Sequence, residues 1–313
     1  MANNNSLVGG GSLMRSINYR IILVQVFVAL FLCINVFLIT TFFMKDFFFT
    51  TMRYILFANT LLSDCLNLII SNLLLILDYF HLTMQMWLCL SIFILSSVYN
   101  FVTPVTLTAM TLERYMAICM PLRHPELCTT RSALRCILII HGLSSVPCIV
   151  VLLVVFASAS LNFYKQYRVC SVQIFILHSW QSHLRSAISQ FYFLIMCITI
   201  VFSYVKIMKV AKAASGENKT STSKGLRTVI LHAFQLLLCL IQLWCPFIES
   251  SVIQISFMLF INVRYFNYIT FYLAPRCLSP LIYGLRDEKF FHALKSFVSC
   301  NVLNNGRPQA HQQ

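Results

Sequence analysis

Long apolar segments constrain this chain more than any other feature of its sequence. A helix needs about 20 apolar residues to cross the hydrocarbon core of a bilayer. Seven windows of this kind can be marked: 21–43, 54–77, 88–119, 136–159, 186–208, 228–250 and 265–283. Because lipid offers the backbone no hydrogen-bond partner, each window must be helical. The sequence therefore predicts an all-α membrane protein built on a seven-transmembrane helix bundle.

The composition agrees with a chain that is dissolved largely in lipid. Hydrophobic residues make up 59% of it and charged residues only 10%, which is too few charges to cover the surface of a water-soluble fold. The sequence contains no linker rich in Pro, Gly or Ser and no internal repeat. We therefore expect one membrane domain over residues 21–283, between an extracellular N-terminus (1–20) and a cytoplasmic tail (284–313).

The distribution of basic residues predicts the orientation in the membrane. If the N-terminus lies outside, 16 Lys and Arg residues fall on the inner side and 6 on the outer side, as the positive-inside rule requires. The net charge of +14 then reflects the orientation in the membrane and does not indicate nucleic-acid binding. The sequon Asn4-Asn5-Ser6 would lie outside, which predicts glycosylation of Asn4.

Most of the 13 cysteines lie inside the apolar windows, where a thiol usually serves as a small hydrophobic side chain. In this topology only Cys89, at the start of the third window, and Cys170, in the second outer loop, lie on the outer side. That compartment is oxidising. We therefore expect a disulfide between Cys89 and Cys170.

The most specific motif lies at the inner end of the third window, where residues 110–124 read MTLERYMAICMPLRH. This run resembles the MAYDRYVAICxPLxY signature of odorant receptors, a family of rhodopsin-like (class A) G-protein-coupled receptors. Residues 224–235 look more like fish odorant receptors than mammalian ones. Further resemblances lie along nearly the whole chain: Asn35, Asp64, Ser203-Tyr204, Trp244-Cys245-Pro246 and Ser279-Pro280-Leu281-Ile282-Tyr283.

The resemblance implies a fish-type odorant receptor in the plasma membrane, expected in the cilia of olfactory sensory neurons. Such a receptor binds a small-molecule odorant in the outer half of the bundle and activates a heterotrimeric G-protein of the stimulatory, olfactory type, which raises cyclic AMP. A non-olfactory class A receptor for another small ligand remains an alternative, and so does a membrane transporter, although the paired interrupted helices of transporters are missing. No catalytic motif is present, so we expect neither an enzyme nor a cofactor.

The triplet Glu113-Arg114-Tyr115 is interpreted as an activation switch. An Arg at a helix end is most often a snorkelling anchor, but the resemblance implies that Glu113 holds Arg114 at rest and that activation frees it. Trp244 before Pro246 fits either packing at a kink or, by resemblance, a hinge. The switch residues expected are Glu113, Arg114, Tyr115, Tyr204, Trp244, Pro246, Pro280 and Tyr283.

One face of the third helix is predicted to line the ligand pocket, because Ser96, Ser97, Asn100 and Phe101 share it at helical spacing. For any one of these residues, helix packing is the alternative role. The mixture of aromatic and hydroxyl groups suits a small, mostly neutral molecule. The resemblance completes the pocket with Ser189, Tyr192, Phe247, Ser251, Ile269 and Tyr272.

Two departures from the odorant-receptor pattern predict an unusual ion pair. Thr103 stands where the family carries a glutamate, and Arg276 replaces a proline of the seventh helix. A charge at this depth is costly unless it is paired. We therefore expect Arg276 to pair with Asp64 and to occupy the place of a sodium ion. The alternative is that Arg276 snorkels or contacts backbone carbonyls.

The tail carries apolar residues at helical spacing: Phe290, Leu294, Phe297 and Val298. Charged and polar residues separate them, which predicts a short amphipathic helix on the inner leaflet. Cys300 follows as a candidate palmitoylation site.

Overall fold

The computed structural model describes residues 4–214, 219–279 and 290–296, and these form mainly helices. Two short strands pair with each other, β1 (Thr83–Gln85) and β2 (Tyr167–Val169). Single 3-10 turns cover Asp46–Thr50 and Val172–Phe175. The helices are α1 (Asn4–Phe43), α2 (Met52–Tyr79), α3 (Met86–Cys119), α4 (His124–Leu127), α5 (Thr130–Ser158), α6 (Leu161–Lys165), α7 (Ser179–Ala214), α8 (Lys219–Gln242), α9 (Cys245–Val252), α10 (Phe257–Asn267), a π-helix (Tyr268–Leu273) and α11 (Ala274–Ser279).

The helices match the seven predicted windows. Within the described residues, five helices are long and apolar enough to cross a membrane, and the bent pair α8–α9 makes a sixth. The seventh window corresponds to α10, the π-helix and α11, up to the end of that described range. The predicted fold class, an all-α membrane bundle, is confirmed.

Several helices extend beyond the apolar windows that predicted them. The first starts at Asn4 and not at residue 21, and α7 covers Ser179–Ala214 where the window covers 186–208. An apolar window marks only the part of a helix that lies in the hydrocarbon core, whereas polar residues can continue the same helix beyond it.

Proline explains the two breaks towards the C-terminal end of the bundle. Pro246 has no N–H to donate and clashes with the carbonyl four residues earlier, and α8 ends at that residue, Gln242. The axis then bends by 43° into α9. In the last segment the π-helix ends at Leu273, two residues before Pro275, and the amide of Gln235 donates to the Pro275 carbonyl oxygen at 3.2 Å. A buried side chain thus donates to a backbone carbonyl of α11, just beyond the irregular turn.

The core is centred on α3, which contacts α2, α5, α7 and α8. Leu56, Leu61, Val102, Leu107 and Leu236 are fully buried there. The outward faces of α1, α5 and α7 carry many exposed large apolar side chains, as helices that face lipid must.

A disulfide and the small sheet close one end of the bundle, which we call the disulfide end. Cys89 at the start of α3 is bonded to Cys170, so the predicted disulfide is confirmed. The antiparallel pairing places Thr83 opposite Val169 and Gln85 opposite Tyr167. The connection between α5 and α7 is therefore fixed against the start of α3.

At the opposite end, which we call the triplet end because Glu113-Arg114-Tyr115 lies there, residues 290–296 are helical. Phe290 is fully buried, with its ring centroid 5.2 Å from that of Phe48 and 5.6 Å from that of Phe57. The first apolar residue of the predicted amphipathic helix therefore packs into the bundle. Phe297, Val298 and Cys300 lie outside the described residues.

Candidate functional site

A buried ion pair lies at the centre of the bundle. Nε of Arg276 is 3.6 Å from Oδ1 of Asp64, and the two side chains are 1% and 0% exposed. Thr103 donates its hydroxyl to the same carboxylate oxygen at 2.8 Å. A cation and a hydroxyl donor therefore meet at one oxygen of this carboxylate.

The guanidinium of Arg276 is also held by the helix that carries it. It lies over the ring of Tyr272, 3.8 Å from the ring centroid, and donates to the Tyr272 carbonyl oxygen. The backbone contact that was the alternative to ion pairing is thus present together with it. A cation over an aromatic face is stabilised by the ring quadrupole, so Tyr272 helps to fix this charge in the interior.

A chain of amides leads from Arg276 to the predicted ligand face. Arg276 donates to Oε1 of Gln242 at 3.5 Å, and Nε2 of Gln242 donates to Oδ1 of Asn100 at 3.3 Å. Asn67 donates to the same oxygen of Asn100 at 3.3 Å and accepts from the Tyr272 hydroxyl at 2.9 Å. Asn100 and Tyr272, two of the predicted ligand residues, therefore belong to one network with the ion pair.

The other predicted ligand residues do not form a single wall. The rings of Phe101 and Tyr192 pair, with centroids 5.3 Å apart. Ser189 and Ser251 donate to carbonyls of their own helices, four residues back, a common choice for a helical hydroxyl. Ile269 packs with apolar residues of α1 and α2.

Three further predicted ligand residues have separate surroundings. Ser96 is buried within α3, whereas Phe247 is partly buried. Ser97 lies against the thiol of Cys148 on α5. These contacts are those of helix packing, which is the alternative to ligand binding for these residues.

A cleft at the disulfide end lies between α3, α5 and α7, and its cavity volume of about 20 Å³ gives room for about one water molecule. We call it the α5–α7 cleft. Its walls are mainly apolar and include Phe93, Val151 and Phe175, while Gln181 and Arg185 are its polar members. None of the ten predicted ligand residues lines it.

The switch triplet differs in detail from the expectation. Oε1 of Glu113 lies 3.2 Å from Nε2 of His124, and within the described residues no hydrogen bond or ion pair joins Glu113 to Arg114. Consecutive residues of a helix point in different directions, whereas the turn after α3 brings His124 back to Glu113. Burial raises the pKa of the nearby Cys128 thiol, and the negative charge of Glu113 raises it further.

The remaining described switch residues lie near the triplet or at the break of the sixth segment. The ring of Tyr115 is 5.9 Å from that of Phe202 on α7, and Tyr204 is partly buried on the same helix. Trp244 lies at the break before Pro246, with its ring 5.6 Å from that of Phe193.

Other predicted site residues fall where the structure gives no side chain. Pro280, Tyr283 and Cys300 lie outside the described residues, and the side chain of Asn4 is not described. Their roles stay predictions.

The sequence analysis assigned no site role to two ionisable residues in the half of the bundle nearest the disulfide. Arg185 lines the α5–α7 cleft, although its sequence position suggested only an outer-side charge. Glu249 on α9 accepts from Nδ2 of Asn267 at 3.2 Å and so links α9 to α10. An ionisable residue in a predicted membrane helix is a signal of function by itself, and it could have singled out Glu249, which lies in the window 228–250. Arg185 lies one residue before the window 186–208 and gave no such signal.

Comparisons with known proteins agree with this architecture. Residues 19–283 match the seven-transmembrane receptor (rhodopsin family) profile. The chain is 40% identical over 299 residues to odorant receptor 131-2 of Danio rerio. This alignment covers 96% of this chain and 92% of that receptor. Galanin receptor 2b of Danio rerio is 25% identical over 228 residues, 66% of this chain and 54% of that receptor. The chain therefore belongs to the rhodopsin family of seven-transmembrane receptors and, within it, to the odorant receptors of the fish type.

Proposed function

We propose that this receptor binds a small odorant in the half of the bundle nearest the disulfide and activates a heterotrimeric G-protein of the stimulatory, olfactory type at the triplet end. The resulting signal is a rise in cyclic AMP. The observation that carries the proposal is the amide chain from Asn100 through Gln242 to Arg276 and Asp64. It joins the side of α3 that a ligand would contact to the α8 and α11 segments, which would move on activation.

The same proposal places the disulfide end outside the cell, in the plasma membrane of olfactory cilia. Two observations support this orientation. Disulfides form in oxidising compartments, and the Lys and Arg residues are concentrated on the opposite side of the predicted topology.

Activation would change the contacts at the triplet end. A buried carboxylate that contacts one partner can switch between a paired and an unpaired state. The contact between Glu113 and His124 is of this kind. In the active state Arg114 would become available to the G-protein.

A cyclic-AMP reporter assay tests the proposal. Cells that express the receptor with the olfactory G-protein would be exposed to amino acids, bile acids, steroids, prostaglandins and small volatiles. At least one class should raise cyclic AMP in the wild type but not in Arg114→Ala at equal surface expression. Equal responses in both would remove the switch. Uptake of a compound without any G-protein signal would favour a transporter.

A further inference from the structure

The contact between Glu113 and His124 joins a buried carboxylate to the kind of side chain whose charge ordinarily changes between about pH 5 and 8. Oε1 of Glu113 lies 3.2 Å from Nε2 of His124, and the two side chains are 7% and 29% exposed. A carboxylate only accepts, so Nε2 carries the proton in this contact. Because part of the imidazole is open to solvent, it can take up a second proton there, which changes the hydrogen bond into an ion pair.

The backbone after α3 fixes the position of the imidazole. The N–H groups of Arg123 and His124 both donate to the Met120 carbonyl oxygen, each at 3.1 Å. His124 is the first residue of α4, and Pro125 follows it in the first turn of that helix, where the missing N–H of proline costs no hydrogen bond. The N–H of Cys128 then donates to the His124 carbonyl oxygen at 2.9 Å. Hydrogen bonds on both sides of His124 therefore hold its ring beside α3.

The odorant-receptor signature ends in a tyrosine at the position of His124. A tyrosine hydroxyl can also donate to a carboxylate, but a phenol stays uncharged near neutral pH. Histidine keeps the donor for Glu113 and adds a positive charge that depends on pH. The feature that this position adds to the signature is therefore proton binding.

The elements around the pair contribute further charged or titratable groups: Arg114 on α3, Arg123, Glu126 and Cys128 around α4, Cys136 on α5 and Lys206 on α7. Arg123 and Glu126 are exposed and carry opposite charges. Burial and the charge of Glu113 raise the pKa of the Cys128 thiol, so this thiol stays neutral. Within the described residues, Glu113 is the one carboxylate that contacts the imidazole. The imidazole is thus the group of this cluster that titrates near neutral pH.

We propose that the contact between Glu113 and His124 is a proton-sensitive brake, in which protonation of His124 strengthens the resting contact and lowers G-protein activation. The charge of the imidazolium adds Coulomb attraction to the hydrogen bond that the neutral ring makes. The proposed function breaks this contact on activation, so a stronger contact shifts the population towards the resting state. The inference rests on that proposed function and names a regulator of it, the proton concentration at the triplet end.

Nucleotide exchange at two pH values tests the brake in the full-length receptor. The receptor in nanodiscs would be mixed with the olfactory stimulatory G-protein, and GTP binding measured with and without the agonist from the cyclic-AMP screen. The two conditions are about pH 6 and about pH 8, on either side of the ordinary titration of histidine. After division by the rate of the G-protein alone, exchange should be roughly 2- to 5-fold slower at the lower pH, a modest factor because solvent screens a partly exposed charge.

Three variants assign this pH dependence to one histidine. His124→Tyr keeps a donor without a titratable cation and should remove the difference between the two pH values. His124→Lys carries its charge at both pH values and should signal weakly at both. His292→Tyr is the matched control, because His292 is an exposed histidine at the same end of the molecule, and it should keep the wild-type difference.

The strength of the pair can also be measured without any G-protein. Thermal unfolding of the wild type, Glu113→Gln, His124→Phe and the double mutant gives the coupling between the two side chains. This coupling should be larger at the lower pH, where the pair is ionic.

A pH dependence of His124→Tyr as large as that of the wild type would overturn the proposal, as would a coupling that does not grow at the lower pH. Faster exchange at the lower pH through His124 would overturn it as well. Agonist-stimulated exchange that does not depend on pH would refute the brake and leave the proposed function intact. A receptor that never accelerates exchange would instead refute the proposed function, whatever the coupling.

Discussion

The guanidinium of Arg276 lies 3.6 Å from the carboxylate of Asp64, and both side chains are almost completely buried. The pair crosses from α11 to α2 and is joined to α3 through Thr103. A cation that is part of the chain therefore stands beside the one carboxylate at the centre of the described bundle. We propose that the Arg276 side chain takes the place that a bound sodium ion would otherwise occupy.

The ion pair predicts a non-additive mutant cycle. Asp64→Asn or Arg276→Leu leaves one buried charge without its partner, which costs about 3–5 kcal/mol, whereas the double mutant leaves neither charge. Each single mutant should therefore lower the unfolding temperature and the surface expression more than the double mutant does. Losses that simply add in the double mutant would show that the two charges are independent.

The hydroxyl of Thr103 should stabilise the receptor through Asp64. Thr103→Val removes one hydrogen bond to a buried charge, which should cost roughly 1.5–3 kcal/mol of unfolding free energy. Thr108→Val is the matched control, because the Thr108 hydroxyl donates only to the Pro104 carbonyl of its own helix. Similar unfolding temperatures for the two variants would rule out a specific role for Thr103.

The disulfide should behave as a single unit. Cys89→Ser and Cys170→Ser each remove the bond that fixes the α5–α7 connection to α3, so each should abolish surface expression. The double mutant should be no worse, since both changes remove the same bond. Cell-surface labelling measures this, and normal trafficking of either single mutant would contradict it.

The pairing at the triplet end predicts changes in basal signalling. Glu113→Gln removes the charge that contacts His124 and should raise basal cyclic AMP, and His124→Phe should do so as well. Arg114→Ala should reach the membrane but stay silent with agonist. If His124→Phe keeps wild-type basal activity while Glu113→Gln raises it, His124 has no part in the resting state.

The helices, the disulfide and the depth of each motif could be predicted because hydropathy and spacing determine them. The direction in which a side chain faces could not be predicted in this way. Arg185 lines the α5–α7 cleft, whereas Ser251 is exposed and bonds to its own helix, although both lie in the predicted outer half. The rotation of a helix about its axis depends on the packing of its neighbours, and the π-helix before Pro275 shifts the phase of every later residue. His124 was missed because its contact with Glu113 depends on the turn after α3.

Nucleotide exchange on a purified G-protein measures directly whether this receptor activates it. Wild-type receptor in nanodiscs would be mixed with the olfactory stimulatory G-protein and the agonist identified in the cyclic-AMP screen, in sodium chloride and in choline chloride. We expect agonist to accelerate GTP binding with equal potency in both salts, because the Arg276 cation would exclude sodium. Arg114→Ala should give no acceleration. Failure of the wild type to accelerate exchange, or an agonist potency that depends on sodium, would contradict this account.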